Sequence, residues 1–232
     1  MLFQLVLCRR GFSCGQFSVH LDNFLKNIKL DALIELTDEP NESTVMSTPF
    51  KRDKRAFYYN QKINCIKAQG YVDFNNTRYE FRKEDSCAVL DWGRGVWTYK
   101  NTWYWGSASG YVDKVPFGFN IGYGFGDTSA ASENMIIYDN KAHKLENVKF
   151  VISMKDGKED YLSPWRFISS DNRFTMDFVP IIDRSAYTSL GIIKSDQHQV
   201  FGRFSGQAIL DNKKMIIVKD LLGFAEKVFN KW

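Results

Sequence analysis

The stretch VLDWGRGVWTYKNTWYWGSASGYVDKVPFGFNIGYGFGDTSAASENM, residues 89–135, decides the reading of this chain. From Trp92 to Phe125 it carries eleven aromatic residues, four of them tryptophan, and from Gly93 to Gly126 eight glycines. Large flat side chains alternate with missing ones. That mixture suits strands that bend sharply and wall a wide aromatic space. Asp91, Arg94, Asn120 and Glu133 thread polar groups through it.

Working outward, the same grammar continues to the C-terminus. Val148, Phe150, Ile152 and Met154 alternate with other residues, as do Phe174, Met176 and Phe178. Asp113-Lys114, Asp139-Asn140, Asp156-Gly157, Asp171-Asn172 and Asp211-Asn212 are turn pairs between such runs. Short strands at this spacing predict an antiparallel meander, and closure into a barrel removes its edges. Leu221, Phe224, Ala225 and Val228 instead follow helical spacing, with Asp220 placed as a cap. A short C-terminal helix is expected over 221–230.

Upstream the signals thin out. Residues 57–66 read as a strand and 71–81 as a hairpin around Asn75-Asn76, while 30–36 suit strand or helix. These strands are too few for a second complete barrel. The expected fold is all-β: a partial barrel or sheet over 1–85, then a lipocalin-like antiparallel barrel over 86–232.

Composition narrows the function classes. Of 232 residues, 44% are hydrophobic and 16% aromatic, enough for a real core, and the net charge is +4. That charge is too mild for a nucleic-acid binder, and the basic run at 51–55 lacks interleaved aromatics. No run reaches the length of a membrane span, so no stable membrane insertion is expected. The opening MLFQLVLCRRGF puts its charges after the apolar run, unlike a signal peptide. The cysteines at 8, 14, 65 and 87 lack metal-ligand or redox spacing. Reduced thiols in a cytoplasmic protein are the simplest account. No histidine cluster points to a metal, no phosphate loop or dinucleotide fingerprint occurs, and no cofactor is expected. Nothing here sets an oligomeric state.

Several motifs resemble one family. LDWGRGVW at 90–97, GFNIGYG at 118–124, SEN at 132–134, QHQVFG at 197–202 and KDLLGFAEK at 219–227 are similar to DUF2804, a family of unknown function. The resemblance covers residues 30–232. It implies the tandem lipocalin-like barrels of the wider AttH-like group, which includes carotenoid 1,2-hydratases, with the second barrel starting near residue 85. Family members are longer at the N-terminus, so the resemblance also implies a shortened chain.

Each candidate residue carries a functional and a structural reading. Asp91 is an acid or anchor at a pocket mouth, or one half of a pair with Arg94 that pins a glycine-rich turn. Glu133, beside Asn134 at the entry to an apolar strand, is a proton donor if desolvated, or a hydrogen-bonder at a barrel rim. His198, between two glutamines, is a proton carrier or a satisfied hydrogen-bonder. Trp92, Trp97, Trp103, Trp105 and Trp165 exceed what packing needs and suit the walls of a ligand site. Asp91, Arg94, Asn120, Glu133 and His198 would orient a polar end, and Asn134 is counted among the ligand-binding residues. The expected partner is a small, largely apolar molecule, lipid- or isoprenoid-like. The alternative is an acid-catalysed hydratase, cyclase or isomerase acting on an isoprenoid-like alkene.

Overall fold

A computed structural model describes residues 15–26 and 28–231. The opening apolar run, Cys8 and Cys14 lie outside the described residues. Within them the chain is all-β and antiparallel.

The first sheet holds β1 (Gly15–Leu25), β2 (Ile28–Thr37), β3 (Thr44–Phe50), β4 (Asp53–Phe74), β5 (Thr77–Phe81) and β6 (Cys87–Val96). Its organiser is β4, which pairs with β3 and β6 along its first half and with β2 and β5 along its second. The switch comes at a bulge between Ile63 and Ile66, where Cys65 takes φ 61°. An extra residue there bends the strand and re-aims its neighbours.

The second sheet begins with β7 (Lys100–Val112), β8 (Val115–Tyr123), β9 (Met135–Tyr138), β10 (Lys141–Lys144) and β11 (Val148–Val151). A two-residue hairpin, β12 (Met154–Lys155) and β13 (Lys158–Glu159), interrupts it. The sheet resumes with β14 (Trp165–Ser169), β15 (Phe174–Leu190), β16 (Ile193–Ile209) and β17 (Met215–Lys231). The strand order is β10-β9-β8-β7-β17-β16-β15-β14-β11, and contacts between β8 and β11 show the sheet curling back on itself. The expected turns hold. Asn75-Asn76, Asp113-Lys114 and Asp139-Asn140 all have φ of 49–66°, the geometry a two-residue hairpin turn requires.

The expected C-terminal helix is not formed, because residues 215–231 run as β17 beside β7 and β16. A shift of pairing at Asp220, whose φ is 51°, inserts one residue into the strand's period. Beyond it the strand is buried on both faces, Leu221 and Ala225 on one and Glu226, Val228 and Asn230 on the other. Apolar residues then fall at 221, 224, 225 and 228 with no helix behind them. Two-sided burial imitates helical spacing.

The concave side of the second sheet is filled. Phe117, Phe119, Phe167, Phe174, Phe178 and Phe204 are fully buried there, with Trp165 at 1% exposure. Phe119 meets Phe174 and Phe204 at 4.9 Å between ring centroids. Each such side chain contributes about 1.5–3 kcal/mol of burial, and together they leave a solid interior.

The first sheet docks on the other side of β7 and β8. Its bulge makes the joint. The Asn64 amide Nδ2 donates to Ser107 Oγ at 2.8 Å and to the Phe119 carbonyl at 2.9 Å. The Cys65 amide donates to Ser109 Oγ at 3.0 Å. Gly118 admits this approach, since a Cβ there would sit 2.7 Å from Cys65 Sγ. Replacing Asn64 by alanine strips partners from buried groups at the joint, and urea unfolding should report a loss of about 1–3 kcal/mol. An unchanged stability would show that the bulge does not join the sheets.

Candidate functional site

Strand alternation builds the site. On β4, Tyr58, Asn60, Lys62 and Asn64 share one face, turned toward the second sheet. Pairing sets them in rows: Thr48-Tyr58-Gly95, Met46-Asn60-Gly93 and Thr44-Lys62-Asp91 across β3, β4 and β6. Gly93 leaves space that the Tyr58 ring takes; a Cβ there would lie 2.5 Å from Tyr58 Cε2. The facing wall comes from β7, where Trp103, Trp105 and Ser107 point away from the solid core. The loop after β8 supplies Phe125, Thr128 and Glu133, and β17 supplies Glu226.

Between these walls lies a cavity of about 260 Å³. Phe125 sits at the hub of its aromatic side. Its ring meets Tyr58 at 5.0 Å, Trp103 at 5.3 Å and Trp97 at 5.8 Å, all edge to face. The polar side centres on Lys62, which is 4% exposed. Its ammonium lies 2.7 Å from Asp91 Oδ1, 3.9 Å from Glu133 Oε2 and 4.0 Å from the centre of the Trp105 ring. Glu133 also accepts from Asn60 Nδ2 at 2.8 Å.

Glu226 is 7% exposed. It accepts from the Trp103 indole N–H at 2.9 Å and from Gln199 Nε2 at 3.0 Å. Burial pushes its carboxyl above the ordinary value of 4.5, outweighing both hydrogen bonds and Lys62. The Tyr58 hydroxyl is pushed up as well, first by burial and then by Asp91 and Glu133. It stays a neutral phenol.

The sequence-predicted residues divide by the parity of their strands. Asp91, Glu133, Trp97, Trp103 and Trp105 line the cavity. Asn120 stands behind the wall, accepting from the Trp105 indole at 2.7 Å and donating to the Glu133 carbonyl at 3.1 Å. Asn134 braces the same loop, accepting from the Gly122 amide at 2.7 Å and donating to the Glu146 carbonyl at 3.0 Å.

Four others lie elsewhere. Trp92 and Arg94 occupy the exposed face of β6, opposite Gln61 and Tyr59. Asp91 therefore pairs with Lys62 and not with Arg94: residues three apart on a strand face opposite ways. Trp165 belongs to the solid core. His198 stacks on Tyr161 at 3.7 Å and bonds Asp183 at 2.7 Å. Tyr161 in turn bonds Glu159, so this group fastens β13 to the sheet.

Tyr58, Asn60, Lys62 and Glu226 are cavity residues that sequence reasoning missed. A polar residue at every second position of 57–66 imitates a solvent face. Glu226 fell in the expected helix, opposite its apolar stripe.

Glu226→Gln keeps an acceptor for the Trp103 indole and removes the titration. A carboxyl raised by folding contributes its stability below the unfolded value and loses it as pH rises through the folded one. The variant should therefore gain on the wild type as pH rises from 4.5 upward. Thermal unfolding at several pH values checks this, and a difference that stays flat would place Glu226 in water.

Solved structures give distant likenesses. Kievitone hydratase from Nectria haematococca is 10% identical, with a TM-score of 0.48 over 95% of this chain and 65% of that one. CghA with Sch210972 is 11% identical, with a TM-score of 0.42 over 94% of this chain and 70% of that one. No curated protein sequence matches the chain. The model of DUF2804, a domain of unknown function, matches residues 9–232, and the chain belongs to that family.

Proposed function

We propose that the protein binds a small molecule with an apolar body in the cavity between its two sheets. The carrying observation is the mixed lining. Tyr58, Trp97, Trp103 and Phe125 offer ring surface, and Lys62, Asp91, Glu133 and Glu226 bring polar groups into the same space. Such a site buries an apolar body and fixes its direction by one polar end. A volume of about 260 Å³ favours a compact ligand, such as a short isoprenoid or a substituted ring. No helix among the described residues is long and apolar enough to cross a membrane. The free thiols Cys65 and Cys87 support a reducing, cytoplasmic setting.

Glu226 favours a second reading, acid catalysis on an alkene. A carboxyl held up by burial keeps its proton closer to neutral pH than an exposed one does. It would give that proton to one alkene carbon, and the rings would stabilise the cation left on the other. Water would add to that carbon and return a proton to the carboxylate.

Tryptophan fluorescence tests binding. Trp97 and Trp103 touch the cavity, so a panel of short isoprenoids and substituted benzenes should yield a saturable change with at least one member. Phe125→Ala should weaken that member roughly tenfold or more by removing the hub ring. A wholly flat panel would overturn the binding reading. Incubation with the alkenes of the panel, followed by mass spectrometry, separates the readings. Gain of one water, lost in Glu226→Gln, supports catalysis; binding without conversion supports the binding module.

A further inference from the structure

One end of the second sheet departs from the rest of the surface. β15 and β16 run on together beyond β14 to a two-residue turn at Gly191-Ile192. The hairpin turns Asn75-Asn76, Asp113-Lys114, Asp139-Asn140 and Asp156-Gly157 are polar, as turn chemistry favours. This one is aliphatic. Leu190 is 71% exposed and Ile192 73%, with Tyr187 and Ile193 open beside them. The Tyr99 hydroxyl donates to the Ile192 carbonyl at 2.8 Å and holds the tip in place. Apolar side chains gathered in water at such a tip mark a contact surface.

Directly behind the tip lies a row of lysines. Pairing sets Lys194, Lys231 and Lys100 opposite one another across β16, β17 and β7. Like charges in facing positions repel. None of the three forms an ion pair among the described residues. Their ammoniums lie instead 5.4–5.7 Å from the ring centres of Phe229, Tyr187 and Tyr99. Asp196, one row further in, turns to His198. Residues 97–102, 187–195 and 228–231, which meet at this end, hold three lysines and no acid.

We infer that this end docks on an anionic lipid bilayer surface, with Leu190 and Ile192 sunk among the lipid chains and the three ammoniums at the level of the headgroups. Tyr99 and Tyr187 flank them, and tyrosine is favoured at that depth. Lysine stems lie along apolar surroundings while their charges reach phosphate. Each cation near a negative surface adds to the attraction, and a single tip so assisted binds reversibly without spanning. A second copy docking through the same end would set each lysine row against its own image. A nucleic acid would find no ring at the aliphatic tip to stack on. None of these residues lines the cavity, so the inference is independent of what the cavity holds.

The whole protein is mixed with vesicles of phosphatidylcholine, or of equal parts phosphatidylcholine and phosphatidylserine, and bound protein is measured by flotation. Binding to the anionic vesicles should be at least about tenfold tighter and should weaken as salt is raised. Leu190→Ser with Ile192→Ser should remove it. Lys194→Gln with Lys231→Gln should lower it to the level of the neutral vesicles. Thermal unfolding checks that both variants fold. Should the serine variant not fold, Ile192→Trp supplies a second readout: brominated lipid should quench its added fluorescence in anionic vesicles and not in neutral ones. Equal binding to both compositions, binding to neither, or binding that either folded variant retains in full overturns the inference. Dimerisation that the serine variant abolishes would also overturn it, by giving the tip to a second copy.

Discussion

One ammonium buried between two sheets governs the arrangement. Lys62 is taken almost wholly out of water, and a charge in that position must be paired and surrounded. Asp91 supplies the pair from directly across the strand, Glu133 leans in from a loop, and the face of Trp105 closes the shell. Each of these contacts comes from a different element: β6, the loop before β9, and β7. Satisfying one charge therefore fixes how the two sheets meet, and the cavity is the space left beside it.

The second sheet makes this possible by using both of its faces. Along β7, the residues at 104, 106 and 108 turn to the solid interior, while 103, 105 and 107 turn to the first sheet. Along β8, Phe117, Phe119 and Ile121 pack inside, while Gly118, Asn120 and Gly122 meet Cys65, Trp105 and Glu133 outside. The inner face supplies rigidity through interlocked rings. The outer face supplies chemistry, with indole N–H groups tied to Asn120 and Glu226 so that ring planes are held in place. A site built on strands whose other face is packed solid has walls that do not drift.

Much of the fold could be read from the sequence, because turn chemistry is local. Asn75-Asn76, Asp113-Lys114 and Asp139-Asn140 mark their hairpins without help from the rest of the chain. Two-sided burial was what misled. It turned the last strand into an apparent helix and hid Glu226 with it. Residues 57–66 read as a strand, but nothing local marked Tyr58, Asn60 and Lys62 as its covered, functional face. The tryptophan-rich segment was expected to wall a space inside the second barrel, and the space it lines lies outside that sheet's packed interior. Five of its predicted site residues face that space, and Trp92 and Arg94 do not, because strand parity sends them to the other side of β6. Which face of a strand is covered depends on a partner sheet distant in sequence, and no local pattern reports it.

Xenon under pressure probes the central claim, that the room in this molecule lies between the sheets. The gas settles in apolar cavities and leaves close-packed interiors empty. In crystals so treated, the account predicts xenon among Trp97, Trp103 and Phe125. Xenon among Phe119, Phe167 and Phe204, with none beneath the first sheet, would contradict it.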